Sequence, residues 1–260
     1  MTTEEIIILI FCAVDNGLGA VPKERNAKLY PSEVVTIGIL FALKGGRFRA
    51  FYRWLKRDYN ALFGGLPDRT ALQRQLRVHA HWADRLLAEA GLMNVIDSYP
   101  MELLFPIREG RSAQQVGKKG RDKGRWSIGL RLCWIRNGTG QVVGWPWLPM
   151  NQPDQDFLPL VDLLAEDGVV LSDLGFRCKN GSPANLKLCL KGTWNDRFMV
   201  ETSFSLLTVV CQAKKIFHRT ADYITARLAY TAAMFNVLTG LDRQLHPDHA
   251  FKLSIAEFSL

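Results

Sequence analysis

Apolar residues in the first 90 positions recur every three to four residues, which is the spacing of amphipathic and buried helices. Thr2 and Glu5 form a capping-box pattern in front of the first apolar run. Pro31 stands at a first helical position, and Asp68 is a good N-cap residue. These signals predict four helices, over residues 2–15, from 31 to the Gly45-Gly46 pair, over 47–63 and over 69–90.

The last two of these predicted helices are joined by a short turn that contains Gly64 and Gly65. The helix after the turn begins with a mixture of Arg, Gln and Thr, which are side chains that read DNA grooves. Two interpretations stay open. The pair is a helix-turn-helix DNA-binding module, or it is a plain helical hairpin with a solvated basic face.

From Met93 onward the pattern changes to short apolar runs and alternation, which are typical of strands. The pattern predicts strands over 93–97, 127–135, 141–148, 169–171 and 185–190, and helices over 156–166, 195–214 and 221–241. The turn over 137–140 makes a hairpin of the second and third strands. The expected fold class is α/β, a mixed sheet with helices packed on it.

Three acidic residues stand at distinctive places in this pattern. Asp97 ends the run over 93–96, Asp173 follows the run over 168–172, and Glu201 lies near the start of a long predicted helix. An acid beside buried strand residues sits close to the core, where an unpaired charge is costly without a partner or a metal ion. We expect the three carboxylates to hold two Mg²⁺ or Mn²⁺ ions, with Asp97 bridging them. Ordinary turn residues are the alternative.

Arg197 lies four residues before Glu201, so the two positions share one face of the predicted helix. Arginine suits a phosphate group because its planar fork donates two hydrogen bonds. We expect Arg197 to contact a DNA phosphate bound beside Glu201. The alternative is a weak ion pair between the two side chains.

The chain carries a net charge of +8, and more than half of this excess comes from one stretch. Residues 108–125 contain seven Lys or Arg residues, two acids and four glycines. The glycines predict a mobile loop, and the charge favours an anionic partner. We expect phosphate contacts from five basic residues of this loop, Lys118, Lys119, Arg121, Lys123 and Arg125. A solvated loop without a partner is the alternative.

The five cysteines are widely spaced and form no CxxC pair, which argues against a disulfide framework or a zinc site. The apolar run over residues 6–14 is too short to span a membrane, and it lacks the basic start of a signal peptide. We expect a cytoplasmic protein, associated with the nucleoid of a bacterium and without a membrane partner.

Four stretches resemble the DDE-type transposases of bacterial insertion sequences, which have an RNase H-like catalytic domain. They are Val95–Pro100, Pro149–Asp154, Leu171–Phe176 and Arg197–Thr202. The order of strand, hairpin, helix, strand and helix is also the order of that fold. The resemblance implies a helical DNA-binding region over 1–91, a catalytic domain over 92–245 and a tail over 246–260.

The resemblance implies that Asp97, Asp173 and Glu201 are the metal-binding catalytic acids. The implied activity is metal-dependent cleavage of double-stranded DNA at the ends of the element, followed by strand transfer into target DNA. Such enzymes join two DNA ends, so we expect a homo-oligomer on DNA. A catalytically inactive or domesticated DNA-binding relative, and a nuclease on the same fold, are the alternatives.

The chain departs from the family pattern at two positions of the last stretch. Trp194 stands where the family often has a tyrosine, and Thr208 stands where it often has a lysine. Lys214 and Lys215, one to two turns further on, are the candidates to replace that lysine as DNA contacts.

Overall fold

The computed structural model describes residues 1–122, 124–179, 181–189, 197–211, 213–214, 216–247 and 255–260. The chain forms two compact units. The helical unit comprises Met1–Leu87, Leu206–Ala213 and Ala221–Leu260, and the sheet unit comprises Ala88–Ser205 and Lys214–Thr220. The contacts thus group residues 221–245 with the N-terminal helices, whereas the resemblance implies a catalytic domain that includes them.

The described elements follow one another in the α/β order that the sequence predicts. The helices are α1 Thr3–Leu18, α2 Pro31–Lys44, α3 Phe48–Asp58, α4 Arg69–Val78, α5 Leu158–Asp162, α6 Arg197–Val209 and α7 Ala221–Leu245. The strands are β1 Met93–Leu104, β2 Lys118–Asp122, β3 Arg125–Asn137, β4 Val142–Gly144, β5 Trp147–Pro149, β6 Val169–Ser172 and β7 Leu186–Leu188. None of the described helices is both long enough and apolar enough to cross a membrane.

The predicted helix starts are confirmed by their caps. Thr2 and Glu5 form the capping box of α1, with the Thr2 backbone N–H donating to Glu5 Oε2 over 2.7 Å. Pro31 opens α2. Asp68 Oδ1 accepts from the backbone N–H groups of Thr70 and Ala71, at 2.9 and 3.0 Å, and so satisfies two donors at the start of α4.

The core of the helical unit is built around α2 and α7, which are buried along most of their lengths. Gly38 of α2 allows a close approach, because a β-carbon there would lie 2.5 Å from the Tyr230 ring. The Tyr230 hydroxyl donates to Leu76 O over 2.8 Å, so its polar end is satisfied. Since α2 and α7 are far apart in sequence, this core joins the two ends of the chain.

The predicted helix over 69–90 is wrong in its second half. α4 ends at Val78 and continues as a 3₁₀ helix over His79–Leu86. The His81 ring Nδ1 donates to Val78 O over 2.9 Å, and aromatic and histidine residues follow, which are weak helix formers. Residues 59–68 connect α3 to α4, which is longer than the turn of a helix-turn-helix module.

The sheet is mixed, with the strand order β2-β3-β1-β6-β7. β3 is antiparallel to β1, β2, β4 and β5, and the strands β1, β6 and β7 are mutually parallel. On one face, Ile96, Ile135 and Val170 pack with Phe157 and Val161, which lie in and next to α5. The predicted helix over 156–166 is correct only for its first half, since α5 ends at Asp162.

The mobile loop predicted over 108–125 is wrong for its second part, because Lys118–Asp122 forms the strand β2 and pairs with β3. A β-carbon on Gly120 would lie 2.4 Å from Met150 atoms, and one on Gly117 would lie 3.1 Å from Leu103. These two glycines allow strands to approach closely, and the sequence does not distinguish this use from loop flexibility.

Candidate active site

Asp97 and Asp173 lie side by side on neighbouring parallel strands. Val95 of β1 pairs with Leu171 of β6. Asp97 is two residues after Val95, and Asp173 is two residues after Leu171. The backbone of Asp173 is extended, with φ −83° and ψ 179°, so the strand geometry continues to it. Neighbouring strands are about 4.8 Å apart, and positions two apart share a face. The two acids therefore project from the same face of the sheet.

The expectation that both acids end a strand is wrong for Asp97. β1 continues to Leu104 because β3 pairs with it along its length, whereas its pairing with β6 covers only Met93–Val95. Asp97 thus lies just beyond the last parallel pair, at the edge where β6 ends. The end of β6, and not the end of β1, therefore determines where Asp97 and Asp173 lie side by side.

The face that carries Asp97 is the face on which α6 packs. Asp97 pairs with Trp134 and lies two residues before Tyr99. The ring of Phe204 in α6 stacks on Tyr99 at 5.0 Å between centroids and meets Trp134 at 5.5 Å. Both contacts join the buried helix residue to the strand side chains that flank Asp97. α6 is therefore anchored next to this acid.

A buried arginine fixes α6 in this position. Arg136 of β3 is 2% exposed, and its Nε donates to Gly140 O over 2.7 Å. Its Nη1 donates to Oγ of Ser203, a fully buried residue of α6. Because removing one partner of a buried charged hydrogen bond is costly, the pair fixes how α6 lies on the sheet.

Arg197 and Glu201 both lie in α6, as predicted, but their side chains are outside the described residues. Position 201 is three residues before Phe204, and positions three apart share one side of a helix. The backbone of α6 therefore brings position 201 to within one turn of the Phe204 contact. Trp194 lies outside the described residues altogether.

Each of the two described acids is oriented by a backbone N–H group. Asp97 Oδ1 accepts from Ser98 N over 2.8 Å, and Asp173 Oδ1 accepts from Gly175 N over 2.8 Å. Both side chains are half-buried. These bonds hold each carboxylate at a defined rotation, which a site for metal ions requires.

A third acid, Asp154, joins this arrangement, and sequence reasoning missed its role. Asp154 Oδ1 accepts from Ser98 Oγ over 2.6 Å and from Arg131 Nη1 over 3.4 Å. A β-carbon on Gly175 would lie 2.8 Å from Asp173 Oδ1 and 3.1 Å from Asp154 Oδ2, so these oxygens are within about 6 Å of each other. Asp154 thus contacts the residue after Asp97 and the turn after Asp173.

Two signals in the sequence were available for Asp154. It ends the stretch Pro149–Asp154 that carries part of the family resemblance, and it follows a proline at a predicted helix start. An acid just before a helix is usually an ordinary N-cap residue, so this position alone does not indicate a role in a site.

The buried thiol of Cys133 lies close enough to two of the acids for their charges to act on it. The pKa of Cys133 lies well above its usual range, first because the thiol is fully buried, and then because Asp97 and Asp154 oppose a further negative charge.

Carboxylate oxygens are the ligands that Mg²⁺ and Mn²⁺ prefer, and the donor chemistry of Asp97 and Asp173 fits such an ion. Within the part of the chain that the structure describes, no three His, Cys, Asp or Glu side chains gather closely enough to hold a metal ion. Glu201, the third predicted ligand, has its side chain outside that part. The described residues therefore supply two strand carboxylates of the predicted three.

Four of the five predicted DNA-binding residues of the basic stretch lie on the β2–β3 hairpin. Lys118, Lys119, Arg121 and Arg125 are exposed there. Lys119 Nζ lies 3.9 Å from Glu109 Oε2 and 5.4 Å from the centre of the exposed Trp126 ring. Lys123 lies outside the described residues. The hairpin therefore presents several charges on a fixed strand.

Lys214 is exposed and held beside β1, because its carbonyl accepts from Glu102 N over 3.1 Å. Lys215 lies outside the described residues.

Comparisons with known proteins give no family for the chain, since neither a protein-family model nor a curated protein matches it significantly.

Proposed function

We propose that the chain is a DDE-type transposase of a bacterial insertion sequence, with Asp97, Asp173 and Glu201 as its catalytic acids. One observation carries the proposal. The register of β1 and β6 sets Asp97 beside Asp173, on the sheet face where α6, the helix of Glu201, is anchored through Phe204. The order of strand, hairpin, helix, strand and helix supports an RNase H-like catalytic unit.

The three acids would together hold two Mg²⁺ or Mn²⁺ ions through their carboxylate oxygens. When bound, such ions activate a water nucleophile and stabilise charge on the attacking and leaving oxygens of a phosphodiester. The chain's own residues orient these ligands. The backbone N–H groups of Ser98 and Gly175 set the rotation of the two strand carboxylates.

Asp154 acts as a positioning residue in this proposal. Its carboxylate accepts from the Ser98 hydroxyl and lies against Gly175, so it links the chain after Asp97 to the turn after Asp173. Arg131 Nη1 balances its charge over 3.4 Å. Because Asp154 contacts both segments, it holds the two metal-binding acids at a fixed separation.

The DNA partner in this proposal is recognised mainly through phosphates. Lys118, Arg121 and Arg125 present exposed charges on the β2–β3 hairpin. Phosphate contacts of this kind position a duplex without reading its sequence, and they make binding depend steeply on salt. The N-terminal helices, with their basic α4, would supply further DNA contacts, and a homo-oligomer would hold the two element ends together.

The test uses the whole protein and a supercoiled plasmid that carries the DNA flanking the coding sequence on both sides. With Mg²⁺ or Mn²⁺ we expect nicks at the element ends and joined products. Asp97→Asn and Asp173→Asn should abolish both products while DNA binding, measured by fluorescence anisotropy, stays within about twofold, because each removes a metal ligand only. Asp162→Asn, an exposed acid of α5, is the matched control and should cut normally.

Three outcomes separate the alternatives. Binding without cleavage by the unaltered chain would favour an inactive DNA-binding relative. Nicks without joined products would favour a nuclease on the same fold. Full cleavage by either Asn variant would remove that acid from the mechanism.

A further inference from the structure

A cavity of about 300 Å³ opens in the sheet unit, and neither Asp97 nor Asp173 lines it. Its walls are the end of β1, the loop over 108–117 and the segment over 218–219 that follows α6. Leu103, Leu104 and Val116 form an apolar lining. The volume lies at the lower end of the range for small-molecule sites.

The cavity is lined by three arginines and by no acidic residue among those that the structure describes. Arg108 and Arg111 come from the loop, and Arg219 comes from the segment after α6. The nearby acid Glu109 does not line the cavity, and its Oε2 lies 3.9 Å from Lys119 Nζ. A small cavity that concentrates three positive charges favours a multiply charged anion.

Hydrogen bonds hold the walls together. Arg219 Nη1 donates to Leu103 O over 2.8 Å, which ties the segment after α6 to the end of β1. Gln115 accepts from Gly110 N at 2.9 Å and donates to Gly117 O at 2.8 Å, and so braces the loop from within. Such a preformed site loses less conformational entropy on binding than a loose loop does.

We propose that this cavity binds a free phosphomonoester of about mononucleotide size. The phosphate, with a charge of about −1.5 to −2 at pH 7, matches the arginines better than a singly charged carboxylate does. The apolar lining takes the planar or apolar body that carries the phosphate. The inference goes beyond the proposed DNA chemistry and does not rest on it.

The test is isothermal titration calorimetry of the whole protein with adenosine monophosphate, without metal ions or DNA. We expect one site per chain. Adenosine, which lacks the phosphate, and benzoate, which has one negative charge, should each bind at least about tenfold more weakly. Equal binding of adenosine monophosphate and adenosine would overturn the proposal, because the arginines would then contribute nothing.

Two loop variants probe the arginines directly. Arg108→Gln and Arg111→Gln alter exposed side chains, and each should weaken adenosine monophosphate binding by about tenfold. Arg25→Gln removes the same charge from an exposed site in the helical unit and should leave binding unchanged. An equal loss in Arg25→Gln would show that net charge alone attracts the ligand, and would overturn the assignment to the cavity.

A competition arm separates the small molecule from DNA. A duplex with hydroxyl groups at its 5′ ends offers only internal phosphodiesters, and we expect it not to displace adenosine monophosphate. Displacement would overturn the assignment to a free phosphomonoester. Asp97→Asn should bind adenosine monophosphate normally, so a failure of this inference and a failure of the proposed transposase activity give different results.

Discussion

Gly175→Ala tests the geometry of the acids more directly than the removal of any one of them. A β-carbon at this position would lie 2.8 Å from Asp173 Oδ1 and 3.1 Å from Asp154 Oδ2. Both distances are shorter than an ordinary carbon–oxygen contact, so at least one carboxylate has to move by roughly half an ångström. Gly175 N also donates to Asp173 Oδ1, so this displacement disturbs a bond that orients the acid.

The size of the effect follows from that displacement. Misplacing reacting groups by about 1 Å costs about a hundredfold in rate, so half that shift should lower the nicking rate about tenfold. Overpacking in a half-buried turn should lower the free energy of unfolding by about 1 kcal/mol. Initial nicking rates on the flanking-DNA plasmid and urea unfolding followed by circular dichroism measure the two effects separately.

Gly138→Ala is the matched control, because a β-carbon there would meet only Met93 O, at 3.7 Å, in ordinary van der Waals contact. It should leave the nicking rate unchanged. If Gly175→Ala nicks at the unaltered rate, the positions of Asp173 and Asp154 beside this turn do not matter for the reaction, and the proposed site is wrong in this detail.

Asp154→Asn should lower the nicking rate and shift the Mn²⁺ concentration needed for half-maximal rate upwards, whereas a purely structural role would lower the urea midpoint alone. Gly38→Ala should destabilise the protein by about 1–3 kcal/mol in urea, because the new methyl group collides with Tyr230; an unchanged midpoint would contradict the α2–α7 packing. Burial raises the pKa of the Cys211 thiol from 9.0 to about 12, against the opposing effect of Arg227. Between pH 9 and 12 the thiol of the folded protein therefore keeps its proton, whereas the thiol of the unfolded chain loses it. The contribution of Cys211 to the free energy of unfolding is complete below pH 9 and is lost as the pH rises towards 12. About 1 kcal/mol should be lost by pH 10, and Cys211→Ala should show a flatter urea midpoint between pH 8 and 10.

The sequence predicts what depends on local chemistry. The capping residues Thr2 and Asp68 and the helix start at Pro31 are where the sequence places them, because each needs only its own neighbours. The α/β class and the two acids beside the buried strands also follow from local apolar patterns.

What the sequence could not supply depends on pairing between distant segments. Gly117 and Gly120 have the pattern of loop residues in the sequence, because their close neighbours, Leu103 and Met150, are remote in the chain. The continuation of β1 past Asp97 comes from its pairing with β3. The role of Asp154 depends on its proximity to Ser98 and Gly175, which are both distant from it in the sequence. The side chain of Glu201 lies outside the described residues, so its role as the third metal ligand stays a prediction.

The discontinuous helical unit has a consequence for the synthesis of the protein. α2 finds its packing partner in α7, which includes Tyr230, and α7 is translated only after the whole sheet unit. At about 5–20 residues per second, α2 waits roughly 10–40 s for α7 on the ribosome. During that interval the part of its apolar surface that α7 covers is open to chaperones or to wrong partners. The sheet unit therefore has the first opportunity to fold, although it is encoded in the middle of the chain.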